Sequence, residues 1–171
     1  MNLKKAVKIS LLCALSVILV YLVHFPLIPG VAFLEYDPAD ICLLLTGLSY
    51  GTVWGLLATV AVSVIQGLTV SAASGWIGIV MHIIATGTFV TVTSLVHKKS
   101  GKTIPALAAG GISMVVIMIP LNLIFTGMFM GAGTDTVVKM LIPAIIPFNA
   151  AKAGINAVLS TILYNRIKRF M

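Results

Sequence analysis

IIPFNAAKAGIN, residues 145–156, is an apolar stretch with three polar side chains set into it: Asn149, Lys152 and Asn156. Their i, i+3, i+7 spacing puts all three on one face of a helix. The flanks, from about Pro143 to Arg166, are long and apolar enough for the last membrane-spanning helix of the chain. A lysine at membrane depth costs about 2.5–3.5 kcal/mol on insertion scales. Lys152 therefore either reaches the interface or a carboxylate partner, or belongs to a polar ligand seat inside a hydrophobic bundle.

Composition fits that setting. The 171 residues are 60% hydrophobic and 9% charged, with a mean hydropathy of +1.14. Soluble domains carry about 25% charged residues. An all-α integral membrane protein follows, one domain over residues 1–171, with no room for a soluble catalytic body. The net charge of +7 does not indicate nucleic acid, because most basic residues lie in short clusters at 4–8, 98–102 and 166–169. Such clusters report orientation in a bilayer. Cys13 and Cys42 lie in apolar runs and give neither a disulfide framework nor metal-ligand spacing.

Outward from the last helix, apolar runs place five more helices: Ile9–Val23, Ile41–Ser49, Val53–Val70, Ile77–Val96 and Ile104–Met130. Six spans put the basic clusters and both termini on the cytoplasmic side and all four carboxylates outside. Pro120 predicts a kink in helix 5, and 131–140 reads as an outer loop. Helix 2, counted from Pro38, has only about 12 residues, roughly 18 Å at 1.5 Å each. That is short of the hydrocarbon core and demands cover by protein. The segment 24–40, HFPLIPGVAFLEYDPAD, is broken by prolines and glycine and mixes apolar with acidic residues. It reads as an ordered lid. Asp37 or Asp40 suits helix capping, and neither shows a histidine or metal set in sequence.

Helical rise then assigns depth. Asn122, Asn149, Lys152, Gln66 and His82, from four helices, share the outer layer. An outward-opening pocket follows as an expectation, with Phe33, Phe148 and Trp76 near its aliphatic walls. His82, alone in an apolar helix, is read as a packing residue or a pocket contact. No HExxH or phosphate-cradling loop is present, nor a nucleophile–base pair. Ala6, Ser10 and Ala14 form a small-residue stripe on helix 1, suited to packing within the bundle or to docking a partner helix.

FLEYDPADI (33–41) after PLIPG, and PFNAAK (147–152), resemble motifs of the riboflavin-specific S component of energy-coupling factor vitamin transporters. The length and the six-helix layout are similar too. Two positions depart from that pattern: Cys42 stands where a proline is expected, and Gln66 where a basic residue is expected. The resemblance implies a transporter subunit, not an enzyme, with riboflavin as transported ligand and no metal or other cofactor. It implies flavin contacts by Asn149, Lys152 and Asn122, and cover by Phe33 and Leu34. It implies a transmembrane coupling protein and two cytoplasmic ATPases as partners, docking at Ala6, Ser10 and Ala14, in a prokaryotic plasma membrane. The same architecture with a folate, pterin or queuosine-type ligand is the nearest alternative. A self-sufficient carrier is a further one, for which inverted repeats would speak.

Overall fold

The computed structural model describes residues 3–31 and 33–169. Among them the chain forms six helical bodies. These are α1 (Leu3–Leu22), α2 (Ala39–Tyr50), α3 (Thr52–Leu68), α4 (Gly75–Ser100), α5 (Thr103–Met130) and α6 (Thr134–Ile167). A two-residue antiparallel pair, β1 (Phe25–Pro26) with β2 (Glu35–Tyr36), folds the segment between α1 and α2 back on itself. Helices α1, α4, α5 and α6 are long and apolar enough to cross a membrane, whereas α2 and α3 are shorter.

The short second helix holds the centre. Every residue of α2 from Ala39 to Leu48 is buried. A helix that is apolar all round needs apolar cover on every side, and α2 receives it from α1, α3, α4 and α6. This is how 12 residues of helix are tolerated: other helices surround it. Leu43, Leu44 and Leu48 meet Val62, Phe89, Val90, Leu107 and Ala153 in the main core. Gly51, at φ +90°, makes the tight turn from α2 into α3. Gly110 lets α5 approach α4 closely, since a Cβ there would lie 2.8 Å from the Phe89 carbonyl oxygen.

A second cluster joins Leu34 and Tyr36 of the lid segment to Val137, Ala144, Ile145 and Phe148 of α6. This corrects the reading of 131–140 as a loop. Helix begins at Thr134, and Val137 is fully buried beneath the lid. Pro143 does not end the helix, because a π turn over Leu141–Ile145 absorbs it. A second π turn, Asn122–Thr126, follows Pro120 where the kink is expected.

The α1 stripe faces away from the bundle at two of its three positions. Ser10 and Ala14 are exposed and Ala6 is half-buried. On the same helix Val7, Leu11, Leu15 and Ile18 are also exposed, so α1 offers an unpartnered apolar face. Cys42 is buried and Cys13 half-buried, both free.

Candidate ligand-binding site

One cavity of about 420 Å³ lies at the end of the bundle that carries the 24–38 segment and the α3–α4 turn. That volume suits a small-molecule site. Seven of the residues singled out in sequence line it: Phe33, Leu34, Gln66, His82, Asn122, Asn149 and Lys152. Phe148 lines it too. Trp76 does not. It is 58% exposed and meets the edge of Phe125, with ring centroids 6.1 Å apart. Phe33 instead reaches Phe129 at 6.4 Å, tying the lid segment to the end of α5.

The α6 face carries Asn149, Lys152 and Asn156, all buried. Lys152 Nζ donates to Asp37 Oδ2 at 2.8 Å. The carboxylate partner and the cavity position thus coexist in one side chain. An ammonium has three donors, and Asp37 takes one. The other Asp37 oxygen accepts from the Ala39 backbone N–H at 3.1 Å, at the first residue of α2, while the N-cap position itself is Pro38. Asn149 Nδ2 donates to the Ile145 carbonyl at 2.8 Å, which fixes the amide orientation because a carbonyl only accepts. Asn149 Oδ1 is then buried without a hydrogen-bond partner among the described residues. Asn122 is self-contained, donating to the Met118 carbonyl and accepting from Thr126 Oγ1, both at 2.8 Å.

Asp40 corrects the expectation that the acidic residues pair with no histidine. It is fully buried, and three donors converge on it: His82 Nε2 at 3.1 Å, Thr86 Oγ1 at 2.7 Å and Asn156 Nδ2 at 3.0 Å. Tyr36 hydroxyl donates to Asn156 Oδ1 at 3.0 Å. Burial, with the Asp37 carboxylate beside it, pushes the Tyr36 phenol above its ordinary range, so the hydroxyl keeps its proton. Ser63 Oγ lies 3.3 Å from His82 Nδ1. A neutral imidazole that donates from Nε2 to Asp40 accepts at Nδ1 from Ser63. Ser63 beside His82 is also a hydroxyl–imidazole pair that sequence reasoning did not find. These bonds tie the lid segment, α2, α3, α4 and α6 into one buried network beneath the cavity.

Asp37, Asp40 and His82 bring ligand atoms within 4.8 Å of one another. The Lys152 ammonium on Asp37 supplies the positive charge that such a cluster needs. Spacing in sequence hid these contacts, since His82 and Asp40 lie 42 residues apart. The usable signal was the closeness of two carboxylates, Asp37 just before α2 and Asp40 in its first turn.

A profile of the ECF transporter substrate-specific component family matches residues 4–164. The chain therefore belongs to that family, the S components, which are substrate-binding transporter subunits and work with a transmembrane coupling and ATPase module. It is a membrane protein. Its fold is similar to the solved S component of a bacterial ECF transporter, with a TM-score of 0.83 and 23% identity over 98% of this chain and 96% of that one. No curated protein matches. As S components are not enzymes, the Ser63–His82–Asp40 chain is read as scaffold.

Proposed function

We propose that this chain captures riboflavin from the extracellular side and delivers it to an energy-coupling module in a prokaryotic plasma membrane. One observation carries the reading: a buried acceptor without a partner among the described residues, Asn149 Oδ1, stands one helical turn from a buried ammonium, Lys152, on helix α6 at a cavity whose lining includes Phe33, Leu34, Phe129 and Phe148. A flavin ring fits that pattern. Its pyrimidine edge sets one N–H donor between two carbonyl acceptors, and its body is flat and apolar. The donor would meet Asn149 Oδ1, and a carbonyl would meet a remaining Lys152 N–H. The basic clusters, all on one side of a six-span chain, support cytoplasmic termini and an outward cavity. Protein purified from cells grown in rich medium should carry a yellow ligand with visible flavin absorbance bands. A bound chromophore with a pterin, folate or deazapurine spectrum would replace riboflavin by that ligand in the same site.

Docking to the coupling protein falls on α1, whose small residues Ser10 and Ala14 are exposed. Ala14→Leu should abolish uptake by cells while riboflavin binding to the isolated protein persists. Equal loss of both would make the stripe internal packing. The lid, residues 30–36, should close over ligand, since Leu34 is buried against α6 and Phe33 lines the cavity; residue 32 lies outside the described ones. Amide hydrogen exchange in this segment should slow at saturating riboflavin. Unchanged exchange would contradict the lid.

A further inference from the structure

Resting on the flavin reading, we infer that Gln66 is the residue that selects a neutral, hydroxylated ligand tail against a phosphorylated one. Gln66 is 7% exposed, lines the cavity from α3, and is only half engaged. Its Nε2 reaches Ser71 Oγ at 3.4 Å, a long bond, and its Oε1 is buried without a partner among the described residues. A buried amide end in that state carries a desolvation penalty unless something bonds to it. Whichever end of the amide faces Ser71, the other is a neutral hydrogen-bonding group without a partner among the described residues, on a residue that lines the cavity.

Gln66 stands across the cavity from the ring-binding pair. Helix α3 packs on α1, α2 and α4, whereas α6 packs on α2 and α5. Among apolar neighbours such as Ile77, Ile79 and Met81, the lining contributed by α3, the α3–α4 turn and α4 also holds Ser63, Ser71, Ser74, His82 and Thr86, and it carries no charged side chain apart from imidazole. A chain of hydroxyls finds donors and acceptors there. A phosphate finds no free cation among the described lining residues. The lysine of the cavity is held by Asp37, and the lining adds a second carboxylate, Glu35, itself 3.2 Å from His24. Two carboxylates and one lysine leave the lining at −1 with neutral imidazoles. A dianion entering that field is repelled.

The test titrates detergent-purified protein with three probes: riboflavin, riboflavin 5′-phosphate, and lumichrome, which is the ring without a tail. Wild type should bind riboflavin well over about tenfold more tightly than the phosphate, the repulsion of like charges adding to the missing cation. Gln66→Leu should weaken riboflavin by about 3–10-fold, the range of one neutral hydrogen bond, and leave lumichrome unmoved. Lumichrome binding also shows that a variant is folded. Gln66→Lys should shift the phosphate-to-riboflavin preference toward the phosphate by about tenfold or more, the value of a charge-assisted bond. The near-isosteric Gln66→Glu should shift it the other way, and it decides the matter if the first two variants do not fold. An unchanged preference across these variants, with riboflavin still bound, overturns the role of Gln66 and leaves the flavin reading standing. Absence of binding by all three probes to the wild type overturns both.

Discussion

Lys152→Met should cost the protein both stability and ligand affinity, and the two losses should separate in a double variant. The lysine is 8% exposed, and its hydrogen-bond partner among the described residues is Asp37, itself 6% exposed. Removing one member of a buried ion pair leaves an uncompensated charge and costs about 3–5 kcal/mol. The cost of burying a lysine is therefore not recovered by removing it alone. Asp37→Asn in the Lys152→Met background removes the stranded charge and keeps an oxygen to accept from the Ala39 N–H. Stability against unfolding in detergent should largely return. Riboflavin affinity should not, remaining down by about 1.5–3 kcal/mol, the range for hydrogen bonds to charged groups, or roughly one to two orders of magnitude in Kd. A double variant that binds riboflavin like the wild type would make Lys152 a purely structural cation.

Asp40→Ala should be the most disruptive single change outside the cavity wall. Its carboxylate receives donors from His82, Thr86 and Asn156, which lie on α4 and α6, and sits itself at the start of α2. The alanine leaves buried donors unpaired at about 1–3 kcal/mol each, so a total loss of about 3 kcal/mol or more is expected. Asp40→Asn keeps an oxygen acceptor on the side chain and should retain most of the stability. The measurement is unfolding of each variant in detergent without ligand. An Asp40→Ala protein as stable as wild type would mean that the network beneath the cavity does not hold the helices together.

Much of this arrangement was legible in sequence because membrane-embedded polar residues are few and costly. Asn122, Asn149, Lys152, Gln66 and His82 stand out against apolar helices, and helical rise alone put them in one layer. The structure brings them to one cavity. The shortness of α2 was legible from Pro38 and the Tyr50–Gly51 turn, and burial by its neighbours is the physical answer to it. What sequence did not reveal is pairing. Asp40 resembled a helix cap, yet its bonds run to side chains 42 and more residues away, and no local spacing encodes them. The π turns were hidden for a related reason. Pro120 announces a disturbed hydrogen-bond ladder but not whether the helix breaks, kinks or widens. The early start of α6 was hidden by glycines and Asp135, which read as loop until Leu34 and Tyr36 supply the apolar cover over Val137 and its neighbours.

Isothermal titration of riboflavin into the detergent-purified wild type and Asn149→Leu tests the central claim most directly. Asn149 Oδ1 is an acceptor that the described residues leave without a partner, and the proposed site assigns it to the ligand. The account expects saturable one-to-one binding by the wild type. It expects a loss of about 1–3 kcal/mol in Asn149→Leu, near tenfold to a hundredfold in Kd. Riboflavin binding of equal strength in both proteins, or no saturable binding by the wild type, would contradict it.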